Sequence, residues 1–371
     1  MKITRVTAWS LKLPYVEGVY RMSGDRITTG MDAVVVRATA DDGTVGIGES
    51  GTVGVTFDAQ NLPGQVAGLT ALAPVLLGLD PRSPESVYRR MAAAMTGHPY
   101  VKAPLDIAVW DLAARAAGLP LWQRLGGDGA EPTELYRPVQ GHTPDDAVVS
   151  AHHRLEQGYR RLQVKVGDDP ILDAQRVLAV RAAVGSEIVI FADANCGFSL
   201  SSARRFVREL GSDGAGIFLE QPCATLTDCA LLRSSWSGPM VMDETIVSVA
   251  ALIDAHRLGV ADGVTVKLTR VGGITPAVTI RDLAVELGIG VTVEDASGCD
   301  LADTTFAHLN ASTPARLRVH TVDFASWVTI NHVEGPSPRD GSVLRPQAGR
   351  PGLGLTLRDD VLGEPFLDVS A

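Results

Sequence analysis

The chain has 371 residues, of which 45% are apolar and 5% aromatic, and it contains 38 glycines. This composition is typical of an α/β protein rich in small aliphatic residues, and it excludes a fibrous or a disordered chain. The formal net charge of −10 argues against nucleic acid or an anionic membrane surface as a partner. We expect neither a membrane span nor a signal peptide, because no run approaches roughly 20 apolar residues and the first residues alternate like a strand.

The first part of the chain, residues 1–127, is predicted to form an α+β module. An alternating strand over 2–13 is followed by a polar loop over 16–30, and the turn Asp41-Asp42-Gly43 then joins two short strands, which is a strong hairpin signal. Helical periodicity runs from about residue 63 to about 125 and includes the segment PYVKAPLDIAVWDLAARAAG, which ends at a Gly-Leu-Pro stop.

Beyond about residue 133, short apolar runs alternate with amphipathic helical segments. Eight such runs are predicted to be strands, and they are spaced by roughly 23 to 30 residues, which is typical of a (β/α)₈ barrel. The runs are ELYRPVQ, RLQVKVG, IVIFADA, GIFLEQP, PMVMDET, GVTVKLT, GVTVEDA and LRVHTVD. A doubly wound open sheet is the rival fold, but no G-x-G-x-x-G follows the first strand. We therefore predict a barrel over 128–335 and a C-terminal segment, 336–371, that packs back on the first module.

Charged residues lie at the carboxyl ends of seven consecutive predicted strands, where barrels of this kind carry their catalytic groups. They are Lys165, Asp193, Glu220, Asp243 (with Glu244), Lys267, Glu294 with Asp295, and Asp323. Three acids on adjacent strands repel one another strongly unless a cation lies between them. An all-oxygen ligand set favours Mg²⁺, with Mn²⁺ as the alternative. The acids would otherwise serve only as helix caps.

Lysine is scarce, since only five of the 33 cationic residues are lysines. Lys165 and Lys267 lie on the second and sixth predicted strands, which face each other across an eight-stranded barrel. A divalent cation and a second ammonium nearby both lower the pKa of a lysine toward the range useful for a general base. One lysine can then remove the α-proton of a carboxylate substrate and the other return it; the alternative for either is a strand-end lysine that extends to water.

These motifs together resemble the enolase superfamily in its mandelate racemase/muconate lactonizing enzyme family, muconate-lactonizing-like subgroup. The resemblance covers nearly the whole chain and rests on GIGES, HPYVKAPLDIAVWDL, LQVKVG, FADAN, FLEQP, VMDET, VKLTRVGG and PGLGL. It implies a modified (β/α)₇β TIM barrel with an α+β capping domain, and Mg²⁺ held by Asp193, Glu220 and Asp243. It also implies acid–base lysines at Lys165 and Lys267 and a metal-stabilised enediolate. Cap loops over 16–26 and 51–57, with Tyr20 and Phe57, are expected to close over the substrate, and members are often homo-oligomeric.

The sequence departs from the family pattern at two places. The second strand carries Gln163-Val164-Lys165 where relatives usually have K-x-K, so one positive charge is lost beside the base. The seventh strand offers Glu294-Asp295 where mandelate racemases have a catalytic histidine, so His/Lys chemistry is not expected.

The acids near the last two strands indicate a substrate with a cationic group. Asp295 and Asp323 are predicted to receive that group, with Gln163 as a further contact. Trp327 adds a cation–π face unless it only packs beside the eighth strand.

The sequence therefore predicts racemisation or epimerisation of an amino-acid derivative, of the proline betaine or hydroxyproline type. Dehydration of a hydroxy-amino acid or sugar acid and muconate-type cycloisomerisation are the enzymatic alternatives. A non-catalytic binding protein on the same fold is the alternative of another class. The four cysteines form no CxxC pair, which favours reduced thiols in a cytoplasmic protein.

Overall fold

A computed structural model describes residues 1–22, 26–57, 59–129 and 131–371. The predicted loop over 16–26 is therefore only partly described, since residues 23–25 lie outside these ranges. The four cysteines, Cys196, Cys223, Cys229 and Cys299, are free thiols. None of the described helices is both long and apolar enough to cross a membrane.

The N-terminal module is an antiparallel sheet covered by helices, as predicted. Its strands are β1 (Ile3–Pro14), β2 (Tyr20–Met22), β3 (Arg26–Thr28), β4 (Gly30–Ala40) and β5 (Val45–Thr52). Its helices are α1 (Leu62–Leu72), α2 (Pro84–Ala94), α3 (Pro99–Ala116) and α4 (Leu121–Arg124). β4 and β5 pair across the predicted turn, where Gly43 has a φ of 84°, a conformation that glycine adopts without strain. β2 and β3 pair antiparallel as a separate two-stranded sheet.

Helix α3 packs directly on β5 because two glycines of that strand carry no side chain. A Cβ added at Gly48 would lie 2.1 Å from the carbonyl oxygen of Pro104, and one at Gly46 would lie 2.2 Å from that of Ala108. Nearly every residue of α3 from Val101 onward is buried. Helix α3 therefore lies between the N-terminal sheet and the barrel and packs against both.

The second part is a curled parallel sheet with helices between its strands. Its strands are β6 (Thr133–Glu134), β7 (Tyr136–Val139), β8 (Arg161–Lys165), β9 (Val189–Asp193), β10 (Phe218–Glu220), β11 (Met240–Met242), β12 (Gly263–Lys267) and β13 (Gly290–Glu294). Its helices are α5 (Pro144–Glu156), α6 (Pro170–Val184), α7 (Leu200–Leu210), α8 (Leu226–Arg233), α9 (Val249–Arg257), α10 (Leu268–Val271), α11 (Ile274–Glu286) and α12 (Asp300–Ala311). The seven strands β7 to β13 pair in sequence order.

The eighth predicted strand, LRVHTVD, is shorter and less regular than expected. Arg318 bridges to Val291 of β13, and Thr321 bridges to Leu135 beside β7. These two bridges join the ends of the seven-stranded sheet, so the barrel closes, and a 3₁₀ turn rather than a full helix follows at 324–326. The modified barrel is confirmed.

Local sequence explains where most barrel helices begin. Asp169 accepts hydrogen bonds from the first backbone amides of α6, Ser199 does the same for α7, and Thr143 with Asp146 forms a capping box at α5. Each cap satisfies amides that have no partner within the helix. Because each helix begins just after a strand-end loop, the carboxyl ends of the strands remain open toward the N-terminal module.

The C-terminal segment contains β14 (Val333–Glu334), β15 (Arg339–Asp340), β16 (Val343–Leu344), β17 (Thr356–Leu357), α13 (Asp359–Leu362) and β18 (Leu367–Ser370). β16 pairs with β6, and β18 pairs antiparallel with β1. The last strand thus becomes an edge of the N-terminal sheet. The exact division at residues 127 and 335 stays a prediction.

Candidate active site

A cavity lies between the carboxyl ends of the barrel strands and the N-terminal module. It has an empty volume of about 490 Å³, part of which is open to solvent. Its charged and amide groups come from the barrel, and aromatic and apolar side chains from β2 and the loop after β5 cover it. The lining residues used below are Tyr20, Phe57, Tyr136, Gln163, Lys165, Asp193, Asn195, Glu220, Asp243, Lys267, Glu294, Asp295, Phe324 and Trp327.

Lys165 ends β8 and lies beside Asp193, the last residue of β9. The two residues are in register across the parallel pair, and Lys165 Nζ lies 2.5 Å from Asp193 Oδ2. Burial is the largest single influence and lowers the pKa of Lys165, but Asp193, Tyr20 and Glu220 together outweigh it and raise that pKa above its ordinary value. With these partners alone the ammonium of Lys165 stays charged. To act as a base, Lys165 must become neutral, which requires a nearby positive charge that disfavours its ammonium form.

Lys267 ends β12 and makes the equivalent contact on the other side of the cavity. Its Nζ lies 2.8 Å from Asp243 Oδ2 and 3.7 Å from Glu294 Oε1. It also lies 5.3 Å from the centre of the Phe57 ring. Burial is the largest single influence and lowers the pKa of Lys267, but the carboxylates of Asp243, Glu294 and Glu244 together more than offset that effect. Each lysine thus approaches the same set of acids from a different strand.

The three predicted metal ligands lie on neighbouring strands and are almost completely buried. Asp193 is 2% exposed, Glu220 3% and Asp243 1%. Burial raises the pKa of Glu220 well above its ordinary value, and the nearby Asp193 and Asp243 carboxylates raise it further. Because these three carboxylates repel one another, a cation bound between them would be stabilised.

Among the described residues, no three Asp, Glu, His or Cys side chains already form a ready coordination shell. Asp193 and Asp243 are instead turned toward the two lysines. The donor set still fits a divalent cation of the Mg²⁺ type, because it consists of three buried carboxylates, without sulfur or imidazole, at the mouth of one cavity.

Neutral and cationic groups hold these acids in place. Gln163 Nε2 donates to one oxygen of Glu220 at 3.1 Å, and Thr265 Oγ1 donates to the other at 3.1 Å. Arg270 lies 2.6 Å from Asp243 Oδ1. Burial raises the pKa of Asp243, but Arg270 and Lys267 outweigh it and bring that pKa to about 2. The carboxylates are therefore oriented before any ligand arrives.

Comparison with known proteins agrees with this arrangement. The family model for the mandelate racemase/muconate lactonizing enzyme N-terminal domain matches residues 17–126, and the model described as enolase C-terminal domain-like matches residues 146–361. The chain belongs to the mandelate racemase/muconate lactonizing enzyme family of the enolase superfamily. It is an enzyme, and metal-assisted abstraction of a proton α to a carboxylate is the chemistry that this family supports.

Two curated relatives and one solved structure span essentially the whole chain. Cis-3-hydroxy-L-proline dehydratase of Roseibium aggregatum is 35% identical and covers 98% of this chain and 99% of that protein. L-Ala-D/L-Glu epimerase of Bacillus subtilis is 29% identical over 96% of this chain and 97% of that protein. A member of the enolase superfamily from Roseovarius nubinhibens ISM, solved in complex with magnesium, is 33% identical, with a TM-score of 0.94 and full coverage of both chains.

Asp295 and Asp323, the two acids near the last strands that were predicted to bind the substrate, both contact groups of the protein itself. Asp295 accepts hydrogen bonds from the Thr269 amide at 2.8 Å and from its own neighbour, the Ala296 amide, at 2.9 Å. Asp323 does not line the cavity and pairs with Arg339 and Arg137. Asp295 lines the cavity with both oxygens engaged by protein donors, whereas Asp323 lies outside the lining. That these two carboxylates receive a substrate cation stays a prediction.

Trp327 does line the cavity, but it is packed among protein groups. The Arg137 guanidinium lies 4.7 Å from the centre of its ring, and the rings of Tyr20 and Phe324 lie at 5.1 and 5.6 Å. The ring therefore packs beside the eighth strand and also lines the cavity. Its role as a cation–π face for the substrate stays a prediction. Tyr20 and Phe57, from the N-terminal module, line the cavity beside Lys165 and Lys267 respectively.

Sequence analysis gave no role to several lining residues, among them Tyr136, Asn195, Phe324 and, most notably for its charge, Glu294. Glu294 is 4% exposed, lines the cavity and pairs in register with Lys267. The sequence does contain a signal for this position of Glu294. β12 is GVTVK and β13 is GVTVE, so the two strands differ only in their last residue. Side chains alternate along a strand, so matching segments on adjacent strands point their last residues to the same face.

Proposed function

We propose that the enzyme abstracts the α-proton of an amino-acid-derived carboxylate and returns a proton to the opposite face, so that it racemises or epimerises its substrate. The observation that carries this proposal is the pair of lysines in one cavity. Lys165 and Lys267 end β8 and β12, which are four positions apart in the strand order. Strands four apart face each other in an eight-membered barrel, so the α-carbon of a bound substrate lies between two ammonium groups.

In this reaction the acids of the cavity would bind the metal and the lysines would transfer protons. Asp193, Glu220 and Asp243 would hold the divalent cation, with Gln163 fixing the orientation of Glu220. When bound there, the cation supplies positive charge that stabilises the anion formed on loss of the α-proton. One lysine takes the proton in its neutral form, and the opposite lysine donates one from its charged form.

The charges of the site favour a zwitterionic substrate. Five carboxylates line the cavity, against the two lysines and the guanidinium of Arg270, which contacts Asp243. A divalent cation brings these formal charges into balance. A zwitterion leaves that balance unchanged, whereas a muconate-type dianion adds two uncompensated negative charges in a largely buried space. Cycloisomerisation is therefore disfavoured.

Dehydration is a second candidate, favoured by the 35% identity over nearly the whole chain to a cis-3-hydroxy-L-proline dehydratase. The same two lysines suffice for it. One removes the α-proton, the bond from the β-carbon to oxygen breaks, and the hydroxyl leaves as water with a proton from the other lysine. The first step is common to both reactions.

Proton exchange in D₂O tests the proposal. The protein with Mg²⁺ is incubated with proline, cis-3-hydroxyproline, their betaines and N-acyl amino acids, and deuterium at the α-carbon is followed by NMR. We expect α-deuteration with inversion for racemisation, or loss of water for dehydration. Activity should disappear with EDTA and in the Lys165→Ala/Lys267→Ala double variant. Absence of exchange from every compound contradicts the proposal, as does full activity of the double variant. A homo-oligomeric state and a cytoplasmic location stay predictions.

A further inference from the structure

We propose that Glu294 is the residue that binds the substrate's amino group, and that the substrate therefore carries an N–H rather than a quaternary nitrogen. The inference rests on the proposed function and deepens it by naming the class of substrate. It differs from the sequence-based expectation, which assigned this task to Asp295, Asp323 and Trp327 and included betaines.

Glu294 presents an unused acceptor to the reaction cavity. Its Oε2 is buried and has no hydrogen-bond partner, whereas its Oε1 lies 3.7 Å from Lys267 Nζ. A buried carboxylate oxygen without a donor is costly, and a ligand that supplies an N–H removes that cost. Burial raises the pKa of Glu294 to about 7, although Lys267, Lys165 and the nearby Tyr136 hydroxyl each lower it. An added cation therefore also stabilises the charged form of Glu294.

The position of Glu294 in the barrel matches the expected position of the substrate nitrogen. The metal-binding acids end β9 and β10 or follow β11, and the lysines end β8 and β12. Glu294 ends β13, on the side of the barrel away from β9 and β10. A substrate carboxylate held near the three acids places its α-carbon between the lysines. Its remaining α-substituents then point toward β13 and the closing strand.

The aromatic groups on that side do not offer a free face to a quaternary nitrogen. Arg137 already covers Trp327 at 4.7 Å, and Tyr20 packs against the same ring. A second cation at this ring would meet the like charge of Arg137. An ammonium group that donates an N–H hydrogen bond to Glu294 needs no free aromatic face. Hydrogen bonds between charged groups are also stronger than those between neutral groups.

The test compares amines with their betaines in binding and in exchange. Binding of L-proline, cis-3-hydroxy-L-proline and their N,N-dimethyl betaines is measured by calorimetry with Mg²⁺ present, and α-proton exchange is measured in D₂O. Wild type should favour the amines at least about tenfold, the effect of one charged hydrogen bond. Glu294→Gln should lose that preference mainly through a higher Kd and KM, and Glu294→Asp should retain part of it. Glu334→Gln, at an exposed position, is the control.

The outcomes separate the two proposals. Equal or tighter binding of the betaines, failure of every amine to bind, or a Glu294→Gln variant that keeps the preference overturns the role of Glu294. An amine preference that depends on Glu294 but comes without any α-proton exchange supports the binding role and contradicts the proposed reaction. Circular dichroism of both variants ensures that they are compared as folded proteins.

Discussion

At the scale of single residues, the site depends on pairs that orient charge. The acids and lysines of the cavity were predictable because carboxyl-terminal strand ends in a barrel meet at one place. Their pairings were not predictable. Asp323 looks free in sequence, but Arg339 comes from 16 residues downstream and reaches it only through the fold. The hydrogen bond from the Thr269 amide to Asp295 is likewise a contact between α10 and the loop after β13, two segments that are distant in sequence.

Gln163 provides a prediction at this scale. Gln163→Ala leaves Glu220 Oε2 without its donor, so the carboxylate loses orientation. We expect the Mg²⁺ concentration for half-maximal activity to rise about tenfold, as for other outer-shell groups of metal sites. A Mg²⁺ titration of activity measures it, with Gln123→Ala, at an exposed position of α4, as the control. An unchanged Mg²⁺ requirement would show that Thr265 alone orients Glu220.

At the scale of elements, strand and helix types followed from sequence period, and boundaries shifted by a few residues. The eighth strand was the main difference, because its pairing consists of two bridges at Arg318 and Thr321 rather than a continuous ladder. Periodicity reports which residues are apolar. It does not report how many backbone hydrogen bonds the neighbouring strands leave available.

The close contact of α3 with β5 yields a prediction about stability. Gly48→Ala places a methyl group 2.1 Å from the Pro104 carbonyl oxygen, so the helix must move outward. We expect a loss of about 2 kcal/mol or more, seen as a lower thermal midpoint. Gly64→Ala in α1 is the matched control, since its nearest contact is 3.3 Å from a side chain. Equal midpoints for the two variants would refute the role of this contact.

At the scale of the whole molecule, the N-terminal module, the barrel and the C-terminal segment are joined by buried acids on α3. Asp111, fully buried, accepts from the Ile47 amide at 3.0 Å, the Leu353 amide at 2.7 Å and Arg115 Nε at 3.0 Å. Asp106 accepts from the amide and hydroxyl of Thr275 at the start of α11. The motif HPYVKAPLDIAVWDL supported the family resemblance, but only the fold shows what its two aspartates join.

Asp111→Ala tests this junction. It leaves two buried amides without an acceptor and removes the carboxylate that Arg115 Nε contacts, so we expect a loss of about 3 kcal/mol. Urea unfolding and limited proteolysis of the C-terminal segment measure the effect. Asp254→Ala, at an exposed position near the end of α9, should behave like wild type. A fully stable Asp111→Ala protein with a protected C-terminal segment would contradict the assigned role.

The central claim is that Lys165 and Lys267 serve opposite faces of one α-carbon, and enantiomer-resolved exchange in D₂O tests it most directly. Each enantiomer of the best substrate is incubated with wild type, Lys165→Ala and Lys267→Ala in the presence of Mg²⁺. The account predicts exchange of both enantiomers by wild type and of a different single enantiomer by each variant, with the lost rate down by about 10² to 10⁴. Exchange of both enantiomers at the wild-type rate by either variant would contradict it.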